Sequence, residues 1–147
     1  MPPCSKPPRP RAFVARLDSR VEFTPLARYL LRAYLSGLPS GDRYRDTAEL
    51  LLGELFANAV RHADAPDDRR IEIRFALVHS RLRLEVHDAG SGRPSLRVAA
   101  PDDEHGRGLL LVDRLAERWG CESRPCGIGK FVWALVAPAP GPALVTA

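Results

Sequence analysis

The sequence predicts an α+β fold, a two-layer α/β sandwich in which helices cover one face of a mixed sheet. Three observations point there. Residues 71–77 and 82–86 alternate apolar and polar side chains at the period of a strand. Residues 24–36 and 43–62 carry apolar residues at helical spacing instead. The order along the chain is strand, helix, helix, strands, long loop, helix, strands, which gives one sheet face something to pack against.

Each element has its own signal. Phe13-Val14-Ala15-Arg16-Leu17 reads as an edge strand. Thr24-Pro25 opens the first helix, with Thr24 as the cap and Pro25 suited to the first turn. Leu26, Tyr29, Leu30, Ala33 and Tyr34 follow at helical intervals, and Gly37 ends the run. A loop with Pro39, Ser40 and Gly41 leads into a second helix, about 43–62. The two alternating strands pair as a hairpin, with His79-Ser80-Arg81 as the turn. Residues 89–106 are rich in Gly, Pro, Ser and Asp and read as a long loop of the kind that serves as a lid. Gly108 through Arg118 reads as a helix, and 119–122 and 131–136 as two closing strands.

At 147 residues and 45% apolar composition the chain fits one globular domain. We expect it to span 12–137, between a Pro/Arg-rich disordered arm at 1–11 and a flexible tail at 138–147. The three cysteines are too few and too scattered for a disulfide framework or a structural zinc site, which predicts reduced thiols. No apolar run reaches the ~20 residues of a membrane span, and residues 1–8 carry no signal core, so a cytoplasmic protein without membrane contact is expected. The net charge is +4, but Lys6 and Lys130 are the only lysines and the arginines are spread along the chain. That pattern reads as compositional drift, and no direct nucleic-acid contact is expected.

The second helix holds the most informative anomaly. It is apolar on most sides, through Leu50, Leu51, Leu52, Leu55, Phe56, Ala57, Ala59 and Val60. Glu54, Asn58 and His62 interrupt it every four residues, which places them in a column with a rise of ~6 Å per step. A polar stripe toward solvent gives the same spacing. A buried acid and amide, however, are costly unless something satisfies them. The amide oxygen of Asn58 suits Mg²⁺, which takes few protein ligands beside substrate phosphates. Glu54 could accept a proton from an incoming hydroxyl or water.

Two loops could complete such a site. His87-Asp88-Ala89-Gly90-Ser91-Gly92 puts a carboxylate at a strand end, able to accept a hydrogen bond from an exocyclic amine, with Gly90 and Gly92 leaving room for a ligand. His105-Gly106-Arg107-Gly108 opens a helix whose free amides and dipole favour phosphate, with Arg107 adding charge. Plain turns or a hinge would look the same in isolation. Gly129-Lys130 precedes the last strand; Gly129 permits close packing beside a base, and Lys130 has no role that the sequence assigns. No P-loop, protein-kinase signature, dinucleotide fingerprint or nucleophile elbow occurs.

Taken together, these strings resemble the GHKL ATPases. Glu54-Leu-Phe-Ala-Asn58-Ala-Val-Arg-His62 looks like their N box, Asp88-Ala-Gly90-Ser-Gly92 like the next box, Gly106-Arg-Gly108-Leu-Leu like the third, and Gly129-Lys-Phe-Val-Trp like a shortened last one. Their order matches over about residues 13–136. The chain is most similar to the stand-alone anti-sigma-factor serine/threonine kinases. That resemblance implies ATP between lid and sheet, with Glu54 as catalytic base, Asn58 on Mg²⁺ and Asp88 on adenine. It implies Gly90 and Gly92 near the base, and Gly106 and Gly108 near the phosphates. It also implies a sigma factor and an anti-sigma antagonist as partners, the antagonist being phosphorylated on serine or threonine, and a homodimer. Lys130 departs from the threonine that many relatives carry.

Three other readings compete. The same residues could hold ATP in a non-catalytic, ATP-dependent protein-binding module. A detached histidine-kinase half would need a phosphoacceptor histidine on a helical segment, and residues 1–42 contain none. A nucleic-acid binder rests on the pI alone.

Overall fold

The computed structural model describes residues 12–62, 70–88, 104–125 and 129–141, with the side chains of 62 and 104–108 excepted. Strand β1 (Phe13–Asp18) leads through a 3-10 turn into helix α1 (Thr24–Ser36), and a second 3-10 turn, Gly41–Tyr44, leads into α2 (Arg45–His62). The hairpin β2 (Arg70–Val78) and β3 (Arg81–Asp88) follows, then α3 (Glu104–Leu115), β4 (Arg118–Ser123) and β5 (Lys130–Val136).

The five strands lie in the order β1-β2-β3-β5-β4. The α+β sandwich is as expected, but the sheet is not mixed: every neighbouring pair is antiparallel. The physical reason is the placement of β5. The crossover from β3 through α3 to β4 sets two strands in the same direction, as a strand–helix–strand unit should. Strand β5 then inserts between them and pairs antiparallel with both.

The helices cover one face. Leu31 and Leu35 of α1 and Leu51, Leu52, Leu55 and Phe56 of α2 are out of solvent against Ile71, Ile73, Phe75, Leu82, Leu84 and Val86 of the hairpin. Val112 of α3 joins the same core. Leu50 of α2 and Leu110 of α3 are apolar residues outside this core, 41% and 45% exposed. Among the described residues no helix is long and apolar enough to cross a membrane.

Several boundaries differ from expectation. Thr24 is not the cap: the 3-10 turn runs straight into α1, Phe23 occupies the cap position, and the buried Thr24 hydroxyl finds no partner. Helix α2 begins at Arg45, since the Gly41–Tyr44 turn is wound more tightly. Arg81 belongs to β3, and the hairpin turn is the two residues His79 and Ser80, both at positive φ, the geometry that matches strand twist. The Tyr44 hydroxyl donates to the Ser80 carbonyl at 2.9 Å and ties that turn to the helical layer. Helix α3 begins at Glu104 and stops at Leu115, so Gly106 and Gly108 lie inside its first turns. An acidic first residue suits the positive end of the helix dipole. Strand β4 starts at Arg118 because Trp119 and Cys121 already alternate in register with Ala134 and Val132. Ala139, in the segment read as a tail, exchanges two hydrogen bonds with Arg43, each 2.8 Å.

Candidate functional site beneath the second helix

Asn58, Asp88 and Lys130 converge where α2 passes over the ends of β3 and β5. Asn58 is in the last third of α2, and Asp88 is the final residue of β3. Asp88 is the register partner of Lys130, the first residue of β5. All three are nearly removed from solvent, at 8%, 5% and 6% exposure respectively. They line one pocket with Leu55, Ala59, Val86 and Val132, a cavity of about 10 Å³.

This lining has two kinds of surface. Its walls are aliphatic, and its polar groups are an amide, a carboxylate and an ammonium. The carboxylate can accept from an amine, and the aliphatic groups supply apolar surface beside it. At that volume the described residues leave room for about one water, so a larger ligand would need the pocket to open.

The predicted residues divide into three groups. Asn58 and Asp88 meet in the pocket, which replaces the alternative of a solvent-facing stripe for the amide and a plain turn for the acid. Glu54 lies one turn of α2 earlier, is half-buried, and does not line that pocket. Gly129 directly precedes Lys130 and has φ 84°, a conformation glycine adopts without strain. Gly106, Arg107 and Gly108 fall in the first turns of α3. The Arg107 side chain, Gly90, Gly92 and residues 89–103 lie outside the described residues, as does the His62 side chain.

Lys130 is a pocket residue that carried no assignment from sequence. The available signal was its spacing: it opens β5 as Asp88 closes β3, and antiparallel pairing brings those two ends together.

The opposite face of the same strands is also more organised than an alternating pattern suggests. Arg16, Glu72, His87, Phe131 and Glu122 form a row across all five strands. Glu72 is 6% exposed and His87 4%, so both faces of the sheet centre are dry here. Arg16 and Arg74 donate to the two oxygens of Glu72 at 3.1 and 2.7 Å. Burial would raise the Glu72 carboxyl, but these partners outweigh it and hold it below the usual range. Glu85 behaves likewise. Burial pushes it up, while hydrogen bonds to His87 and Arg83 and their charge bring it down to about 2. The His87 ring stacks on Phe131 at 4.5 Å.

Comparison with known proteins agrees with this architecture. The family model described as a histidine kinase-like ATPase domain matches residues 17–132. No curated protein matches the chain. Among solved structures, the chain is similar to the RsbU and RsbW domains of Rv1364c from Mycobacterium tuberculosis, with 19% identity and a TM-score of 0.69. That match covers 92% of this chain and 34% of the other, so the chain spans about a third of the length of that solved chain. The family model takes in α1 through the first three residues of β5, both pocket walls included, and the chain therefore belongs to the histidine kinase-like ATPase domains, whose ligand is ATP.

Proposed function

We propose that this domain is an ATP-dependent serine/threonine protein kinase of the anti-sigma-factor type, acting on an antagonist protein in a partner switch. The observation that carries this reading is the convergence of Asn58 and Asp88 in one buried slot, with Glu54 one helical turn away. The motif strings around those residues are the ones that resemble this branch, and the fold-level likeness to a protein containing an RsbW domain is in keeping with it.

In this mechanism Asp88 accepts from the adenine amine, while Leu55, Ala59, Val86 and Val132 exclude water from the ring faces. Asn58 would hold Mg²⁺ through its amide oxygen. That fits a donor set of one buried amide, since magnesium takes its remaining ligands from phosphates and water. When bound, the ion neutralises charge on the phosphates. Glu54 accepts the proton of the partner's hydroxyl as the γ-phosphoryl group is transferred. Little else is required, because phosphoryl transfer is mainly positioning and charge stabilisation. Gly106, Arg107 and Gly108 at the start of α3 bring amides and a positive dipole end to the phosphates. Gly90 and Gly92, outside the described residues, are assigned to the base by the motif resemblance alone.

The second reading is a non-catalytic module that binds ATP as a switch for a protein partner. The position of Glu54 outside the pocket lining favours it. One experiment separates the two. The purified protein is incubated with γ-labelled ATP and candidate antagonist proteins. Label on a serine or threonine of an antagonist supports the kinase; retained ATP binding with no transferred label supports the switch.

A further inference from the structure

Lys130 lines the slot with Asn58 and Asp88, and no step described above uses it. Taking that slot as the site of the nucleotide base, as proposed above, we infer that Lys130 opens it to purines with an oxygen at position 6. Guanine and hypoxanthine nucleotides then bind there as well as adenine nucleotides.

Placement is the first argument. Lys130 and Asp88 are register partners where β5 begins and β3 ends. Side chains alternate along a strand. Lys130 and Val132 therefore share the slot face, while Phe131 between them turns to the other face and stacks on His87. Val86 and Asp88 share the slot face of β3 in the same way. Residues directly opposed on one sheet face have Cβ atoms about 5 Å apart. Once the slot opens to admit a ring, one side chain from each strand meets neighbouring positions on its edge. Both residues are nearly removed from solvent, so a mismatch there is felt at the strength of a buried group.

The second argument is the pattern of donors and acceptors. Adenine presents a donor amine at position 6 and an acceptor nitrogen at position 1. Guanine and hypoxanthine present the reverse, an acceptor oxygen at 6 and an N–H at 1. A carboxylate standing alone only accepts, so it takes the adenine amine and opposes a 6-oxygen. Such opposition is how a site rejects the wrong base. A lysine beside the carboxylate removes the rejection, because its nitrogen carries N–H groups whether or not it is charged. With adenine, Asp88 accepts from the amine and Lys130 donates to N1. With a 6-oxopurine, Lys130 donates to O6 and Asp88 accepts from N1–H. The flexible stem and rotatable donors of lysine permit that exchange of order. Guanine also carries an amine at position 2, which hypoxanthine lacks, so the two bases separate edge recognition from the space a larger base needs.

The test titrates the full chain with ATP, GTP and ITP, each with magnesium, by calorimetry. Lys130→Met and Lys130→Thr are measured beside the unaltered protein. In the unaltered protein ITP should bind within about tenfold of ATP, less than the loss caused by an unpaired buried acceptor, and should displace a fluorescent ATP analogue completely. Each variant should lower the ITP-to-ATP affinity ratio by about tenfold or more, the scale of a buried oxygen that has lost its donor. The ratio cancels any general loosening of the fold, which weakens both nucleotides alike. Binding of ITP but not GTP supports the edge contact and sets its limit at the 2-amino group. Binding of ATP with ITP and GTP weaker by about a hundredfold or more overturns the inference and leaves the adenine site standing. An unchanged ratio in both variants also overturns it. Failure of all three nucleotides to bind overturns the reading of the slot itself, and this inference with it. The comparison in the unaltered protein decides for or against 6-oxopurine binding if neither variant folds.

Discussion

Lys130 faces Asp88 across the β3–β5 ladder, and both side chains are more than nine-tenths removed from solvent. A buried ammonium and a buried carboxylate line one small pocket, so removing either changes the charge balance of a site with little water. Asp88→Ala should therefore lower stability by about 3 kcal/mol as well as removing the contact to the base. Asp88→Asn combined with Lys130→Met should recover much of the stability but none of the ATP affinity. Denaturant unfolding and a fluorescent-ATP titration on the three variants check this. Full ATP affinity in Asp88→Asn would remove Asp88 from base recognition.

Asn58 and Glu54 share a helix face but occupy different surroundings, so their substitutions should separate. Asn58 is buried in the pocket wall, whereas Glu54 is half-buried and outside it. Asn58→Ala should abolish Mg-ATP binding. Glu54→Ala should leave most of the binding intact and reduce phosphoryl transfer by at least ~100-fold, the scale of a lost general base. Calorimetry and a labelled-phosphate assay on the same preparations measure the two effects. Unaltered transfer in Glu54→Ala would overturn its assignment as the base.

This division between the two residues also marks how much the sequence disclosed. The four-residue interval put Glu54 and Asn58 on one face, and helix geometry guarantees that much. The interval could not say which of them faces the β3–β5 end, because that depends on how far α2 slides along the sheet. Lys130 was opaque for a similar reason: strand pairing across a long connection sets its neighbour, and no local pattern encodes it. Antiparallel pairing throughout was hidden by the insertion of β5 between β3 and β4. The reverse face of the sheet is hidden from the sequence for another cause. Alternation marks polar positions correctly at Glu72 and His87, but arginines and an aromatic ring cover them, so polarity did not mean exposure. Elements whose patterns are local, such as the hairpin and α1, stand close to where the sequence put them.

The Glu85 carboxyl sets an acid limit on stability. Its folded-state value is about 2, below its ordinary value of 4.5. A depressed acid contributes stability that is present above the unfolded value and lost as pH falls toward the folded one. Stability should thus decline between about pH 5 and pH 2, with Glu85 contributing no more than about 2 kcal/mol after screening at its partly exposed edge. Glu85→Gln should flatten that part of the profile, and Arg83→Gln should move it toward higher pH. Circular-dichroism melts across the range report both changes. An identical profile in Glu85→Gln would show that other carboxylates dominate.

Gly120 and Trp133 form the tightest fit on the open face. They are register partners between β4 and β5, and a Cβ added at Gly120 would come within 2.8 Å of the indole ring. The ring also receives the Arg83 guanidinium, 4.9 Å from its centroid, which in turn holds Glu85 at 3.0 Å. The indole therefore cannot yield to a side chain at 120 without displacing a cation that is already engaged. Gly120→Ala should cost about 1 kcal/mol and Gly120→Val up to about 3 kcal/mol, the scale of overpacking in a filled site. The tryptophan emission should move to longer wavelength as the ring is driven outward. Gly120→Val combined with Trp133→Leu relieves the clash and should regain stability over Gly120→Val alone. If the double variant is no more stable than the single one, the ring is not what requires glycine at this position.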